Sequence, residues 1–144
     1  MSRNTIDHEL RYTWQTVSKM YNEEASKIGG SMAIGFALLS LNPKKGTPST
    51  SLGPKMGMES RSLTRSLKSM LDRKLIRKKT DPKDKRKVRI YLTKKGIEYR
   101  KIASKNVKVF NERVFSKISS EELNAFYKVL EAVDQSIEEL KNEK

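Results

Sequence analysis

The residues with the clearest chemical potential in this chain are cations. Residues 61–101 hold seventeen Lys and Arg against four acidic residues, Asp72, Asp81, Asp84 and Glu98, a net charge of +13 in a chain whose total is +14. Residues 1–40 are neutral and residues 102–144 carry −1. A charge excess confined to one segment between neutral flanks is the footprint of a surface that faces phosphates. A uniformly basic protein would spread its charge over the flanks as well.

Within that segment the cations follow two patterns. In "MESRSLTRSLKSMLDRKLI" (58–76), Leu63, Leu67, Met70 and Leu71 make one apolar stripe, while Arg61, Arg65 and Lys68 recur at spacings of three and four. One helix therefore turns its leucines inward and its cations outward. In "TDPKDKRKVRIYLT" (80–93), a Pro-containing turn leads through Lys83, Lys85, Arg86 and Lys87 into alternating charged and apolar residues. "IRKK" (76–79) and "VRIYL" (88–92) can both be strands, and with the turn between them they form an antiparallel hairpin.

Other chemistry is poorly supported. His8 is the only histidine and stands near the start of the first helix. Glu23–Glu24 and Glu121–Glu122 are sequence neighbours, so each pair splits between helix faces and makes no acid/base couple. "GTPST" (46–50) lacks the Gly-Lys-Ser/Thr ending of a phosphate-binding loop. There is no Cys, hence no disulfide framework, thiolate metal site or thiol switch. No metal, no cofactor and no enzymatic activity are expected.

The elements that must position the cations follow from periodicity. The 144 residues suit one domain of ordinary size. With 35% hydrophobic and 33% charged residues, a large core in a lone monomer is doubtful, and long helices sharing a core across a dimer would ease this. The first eleven residues lack the apolar run of a secretory signal. The most apolar run, residues 31–41, is too short to span a bilayer. The expectation is a soluble cytoplasmic protein without membrane contact.

Residues 5–28 read as a helix capped by Asn4 or Thr5 and stopped by Gly29 and Gly30. A more buried helix covers 31–41, and residues 42–48 read as a connector. Residues 49–57 read as a short, poor helix, partly 3₁₀, because Gly53 and Pro54 lie in it. Gly57 marks the turn before the basic helix. Thr93 caps a long helix over 94–117, and Ser119 with Glu122 forms a capping box that opens the last helix. The order is helix, helix, helix–turn–helix, hairpin, helix, helix. This is a mainly α fold with a small β-hairpin wing, a winged helix-turn-helix. An α-helix fits a DNA major groove, and a hairpin beside it can put arginine into the adjacent minor groove.

At this point the chain resembles the MarR-type transcriptional regulators, along essentially its whole length and most specifically over 56–96. "SLTR" (62–65) has that family's Ser/Thr-x-x-Arg pattern. Asp81, Pro82, Asp84 and Arg86 match its DPxDxR wing, and "LTKKG" (92–96) matches its LTxxG. "LGPKMG" (52–57) departs from the Ala-rich helix the family usually has there.

The resemblance implies a homodimer in which 5–42 and 94–142 supply dimerisation helices, and 43–93 forms the winged-helix lobe of a single domain, 1–144. It implies sequence-specific binding to a pseudo-palindromic operator in double-stranded DNA, with repression released by a small-molecule effector. Ser60, Arg61, Ser62, Thr64, Arg65 and Lys68 become recognition-helix contacts, with Arg65 on a base or phosphate and Lys68 on phosphate. In the wing, Arg86 becomes the minor-groove probe, Lys83, Lys85 and Lys87 supply attraction, and Asp84 orients the wing or pairs with Arg86. Lys55 becomes a phosphate contact. Trp14, Tyr21, Met32, Phe36 and Tyr99 either line an effector cavity or simply pack in the core. The rival readings are a non-specific architectural or RNA-binding winged-helix protein and a basic module that meets an acidic protein.

Overall fold

The computed structural model describes residues 5–52 and 60–144. They fall into two compact units, Met1–Asn106 and Val107–Lys144.

In the first unit, helix α1 spans Ile6–Ser26. The Thr5 hydroxyl accepts the His8 N–H (3.4 Å), and Asp7 and Glu9 sit in the positive first turn. The stop is glycine-driven. Gly29 takes φ +76°, its N–H donates to the Ser26 carbonyl (3.0 Å), and the Gly30 N–H donates to that of Ala25 (2.8 Å). Helix α2, Met32–Ser40, begins with Ser31 accepting the Ile34 N–H (3.3 Å). It buries Ile34, Ala37 and Leu38, and Leu41 follows in the core.

Strand β1, Thr47–Pro48, was not expected, because residues 42–48 read as a connector. It pairs antiparallel with β3, Thr47 opposite Ile90 and Pro48 opposite Arg89. Tertiary contacts hold this short strand. Thr47 is buried and its hydroxyl accepts the Asn42 N–H (3.1 Å). A 3₁₀ turn at Ser49–Ser51 follows, as the weak helix signal there suggests. Gly53, Pro54 and the expected Gly57 turn lie outside the described residues.

Helix α3, Ser60–Asp72, ends four residues before the sequence pattern suggests. The Lys74 N–H donates to the Leu71 carbonyl (3.0 Å) and the Leu75 N–H to that of Met70 (2.9 Å), with Lys74 at φ 61°. This is a glycine-type helix stop built on a lysine. Strand β2 (Ile76–Thr80) then pairs with β3 (Val88–Leu92), in a register running from Ile76 opposite Leu92 to Thr80 opposite Val88. The sheet order is β1-β3-β2, so β2 is an edge strand. Leu67 and Met70 of α3 pack with Leu38, Leu75, Ile76 and Ile90 into one core.

Helix α4, Lys94–Phe115, is tied at its start to the end of α3. The Thr93 hydroxyl donates to the Lys74 carbonyl (2.7 Å) and accepts the Gly96 N–H (3.0 Å). The Thr93 N–H donates to the Leu75 carbonyl (3.0 Å). A side chain at position 96 would overlap that same Leu75 oxygen, which is why the LTxxG pattern needs its glycine.

In the second unit, α5 spans Ser120–Asn142 and opens with the expected capping box. The Ser119 hydroxyl accepts the Glu122 N–H, and the Glu122 carboxylate accepts the Ser119 N–H, both at 3.0 Å. No residue of α5 is buried, and Phe126, Tyr127, Val129, Ile137 and Leu140 are exposed.

Two substitutions test the α3–β2 turn. The left-handed geometry costs a lysine about 1–2 kcal/mol, and glycine's extra freedom when unfolded gives back about 0.5–1. Lys74→Gly should therefore stabilise the protein by roughly 0.5–1 kcal/mol. Gly96→Ala should destabilise it by about 1–3 kcal/mol through overpacking. Both are read as shifts of the denaturant midpoint at unchanged slope.

Candidate nucleic-acid interface

Helix α3 separates its residues as the sequence pattern requires. Leu67 and Met70 are buried and Leu63 and Leu71 pack against them, whereas Arg61, Thr64, Arg65 and Lys68 are exposed. Ser62 is half-buried. Ser60 opens the helix, and Lys55 lies outside the described residues. The structure thus gathers Arg61, Thr64, Arg65 and Lys68 on one outward surface, at helical spacings that let all four meet a single groove.

The wing is built around two carboxylates with different tasks. Asp81 is buried, 7% exposed. Its Oδ1 accepts the Lys83 N–H (2.8 Å) and its Oδ2 accepts Arg89 Nε (2.8 Å). Arg89 Nη1 also donates to the Gly46 carbonyl (2.8 Å), 43 residues away in the chain. One ion pair therefore fixes the turn, the β3 strand and the entrance to β1 together. The Lys83 N–H first, and then Arg89, hold the Asp81 carboxyl below the usual carboxylate range. Sequence reasoning gave Asp81 only the turn and gave Arg89 no role. The signal for Arg89 was weak, since it is one cation among seventeen.

Asp84 serves the tip. It accepts the Arg86 backbone N–H (3.0 Å) and the Arg86 Nε (3.2 Å). The Arg86 side chain remains 91% exposed. An ion pair this open contributes at most about 1 kcal/mol, so its effect is to direct the guanidinium. Asp84 is thus paired with Arg86 in this structure. Lys83, Lys85 and Lys87 are exposed around it. Two backbone bonds close the turn, Asp81 N–H to the Lys87 carbonyl (2.9 Å) and Lys87 N–H to that of Asp84 (3.0 Å).

Of the five residues suggested for an effector cavity, Tyr21 and Phe36 are in mutual contact. Tyr21 is buried edge-on against Phe36, ring centroids 5.6 Å apart. The Met32 N–H donates to Asn22 Oδ1 (2.9 Å). Tyr99 packs against the core under Lys95, and Trp14 is 53% exposed. A cleft of about 390 Å³ lies between α2 and α3, lined by Ser31, Ala33, Ile34, Ser62, Arg65, Ser66 and Ser69. Among the described residues no cluster of three or more His, Cys, Asp or Glu could hold a metal, and no helix is long and apolar enough to cross a membrane.

Comparison with known proteins agrees with this geometry. Residues 31–88 match the model of the MarR family. No curated protein matches the chain. Among solved structures, S. aureus MepR in complex with DNA is 18% identical, with a TM-score of 0.85 over 94% of this chain and 99% of that one. A mutant E. coli MarR complexed with operator DNA is 19% identical, with a TM-score of 0.77 over 89% and 92%. The PcaV regulator of Streptomyces coelicolor with its natural ligand is 18% identical, with a TM-score of 0.76 over 95% and 99%. At these identities the likeness is one of fold.

Asp81→Asn tests the anchor. Because the folded carboxyl titrates below its unfolded value of about 3.9, its stabilising contribution is complete above that pH and is lost as pH falls through the depressed value. The wild type should lose stability on that acid limb. Asp81→Asn should start less stable at neutral pH and show a shallower limb, measured by denaturant unfolding from pH 7 down to pH 3.

Proposed function

We propose that the protein, whose residues 31–88 match the model of the MarR family, is a sequence-specific, double-stranded-DNA-binding transcription regulator of the MarR type. One observation carries the reading. The exposed cations of α3 and of the wing tip stand on consecutive elements of one small sheet-and-helix lobe, while Asp81 and Asp84 are engaged by Arg89 and Arg86. What remains outward is a nearly uncompensated positive surface of the size and shape that takes a duplex. Arg61, Thr64, Arg65 and Lys68, with Ser60 and Ser62 at the helix start, read the major groove. Arg86 enters the minor groove, where narrow A·T-rich stretches concentrate negative potential. Lys83, Lys85, Lys87 and Lys55 serve phosphates and so contribute affinity without sequence information.

The protein acts as a homodimer in the cytoplasm and is a repressor rather than an enzyme. The exposed apolar residues of α5, together with Ile6, Leu10 and Trp14 of α1, support the dimer, because a monomer would leave them in water. Two recognition helices then meet successive major grooves of a pseudo-palindrome, about 34–36 Å apart. A small-molecule effector would release DNA by favouring a dimer that no longer matches this spacing. MepR and MarR with DNA and PcaV with its ligand are the structures that motivate these steps. A non-specific or RNA-binding winged-helix protein is the runner-up.

Competition between an inverted-repeat duplex selected from random sequence and mixed-sequence duplex separates these readings. A preference of at least about 10³-fold supports the regulator, and equal binding sinks it. Arg86→Ala should weaken binding to the selected site substantially, and unchanged affinity at physiological salt would remove the wing from the interface. Ile137→Glu should lower the dimer fraction in sedimentation while leaving helix content intact.

A further inference from the structure

We propose that the stem of the wing, and not only its tip, grips DNA, with Lys78 and Lys79 clamping the phosphates on the two sides of the groove that the tip enters. This inference rests on the DNA-binding reading above and extends it to residues that reading leaves unused.

Strand β2 departs from the pattern of a strand on a core. A strand on a core should alternate buried and exposed residues. Ile76 is buried, but Arg77, Lys78, Lys79 and Thr80 are all exposed. Lys78 stands opposite Ile90, which is fully buried, so the register puts Lys78 on the sheet face that packs against α3. Lys78 is nevertheless exposed, because β2 is the outer strand of the sheet and the core is filled from β3 inward. Lys79 is on the other face, opposite Arg89, with its ammonium 5.6 Å from the centre of the Tyr91 ring. The stem therefore presents one cation on each face at nearly the same height. Among the described residues neither has an acidic partner, and the nearby carboxylates of Asp81 and Asp84 are committed to Arg89 and Arg86.

The dimensions suit a minor groove. The groove is about 7.5 Å deep, and its walls are the two phosphodiester strands. At about 3.3 Å per residue, Lys78 and Lys79 stand roughly 7–10 Å behind the turn that carries Arg86. The groove is only about 6 Å wide, so the Arg86 side chain enters while the turn stays at the mouth, and the long side chains of Lys78 and Lys79 reach forward from the stem to the phosphates on the two lips. Lysines on an edge strand can also serve merely to discourage strand pairing. That role needs neither their placement on opposite faces nor their freedom from carboxylates.

The test measures binding of the dimer to a mixed-sequence duplex of about three helical turns as a function of salt. Wild type is compared with Lys78→Gln/Lys79→Gln, with Lys78→Arg/Lys79→Arg, and with Lys101→Gln/Lys105→Gln as a charge-matched control on α4. The stem glutamine variant should flatten the slope of log affinity against log salt by about 0.9 for each phosphate it no longer neutralises. Its affinity for the selected inverted repeat should fall by the same factor as for mixed sequence, because phosphates carry no base information. The arginine variant should keep the wild-type slope, and the α4 control should change it little. A wild-type slope in the glutamine variant, or an equal flattening in the control, overturns the clamp. So does a variant that binds normally but self-associates. Absence of any salt-dependent duplex binding by the wild type would instead overturn the DNA-binding reading itself.

Discussion

The ion pair between Asp81 and Arg89 is the constraint on which the winged lobe depends. A hairpin that projects beyond its core has few apolar contacts to hold it, and here Val88 is exposed while Ile90 is the deepest residue of the return strand. The missing rigidity comes from a buried carboxylate bound by a backbone N–H and a guanidinium, and the same guanidinium reaches the Gly46 carbonyl. A charged group left unpaired at such depth would be costly. The turn, the middle strand and the short outer strand therefore move together or not at all. The second pair, Arg86 with Asp84, is nearly as short but lies in solvent. Equal chemistry thus has unequal effect: one pair fixes a scaffold and the other aims a side chain.

Much of this was legible in the sequence, and the reason is physical. Helices α1, α3 and α5 carry long runs at helical spacing, and caps at Thr5, Thr93 and Ser119 mark starts that depend only on neighbours three residues away. The wing was legible because Asp81, Pro82, Asp84 and Arg86 lie within one turn. What was not legible depends on distant partners. The β1 strand is two residues long, contains a proline, and exists because β3 and Arg89 come to it. The role of Arg89 needs a carbonyl 43 residues away. The early end of α3 turns on Lys74 adopting a left-handed geometry that its residue type does not announce.

The candidate interface was legible to a different depth. The charge excess of residues 61–101 indicated that a surface faces phosphates, and helical spacing identified the outward side chains of α3. Charge counting alone could not separate cations left exposed from those that build the lobe. Arg89 and Lys79 look alike in sequence, yet one is an anchor and the other is exposed over the Tyr91 ring. Only register and burial separate them.

The outer strand β1 has a further consequence for the protein in bulk solution. A three-stranded sheet has two free margins, and each is a template on which another chain could grow. Pro48 ends β1 after two residues and has no N–H to offer a newcomer. Copies at high local concentration would lie close together, in the arrangement where sheet margins could join and seed aggregates. The proline closes the β1 margin, and the charges of the exposed Arg77, Lys78 and Lys79 discourage pairing on the β2 margin.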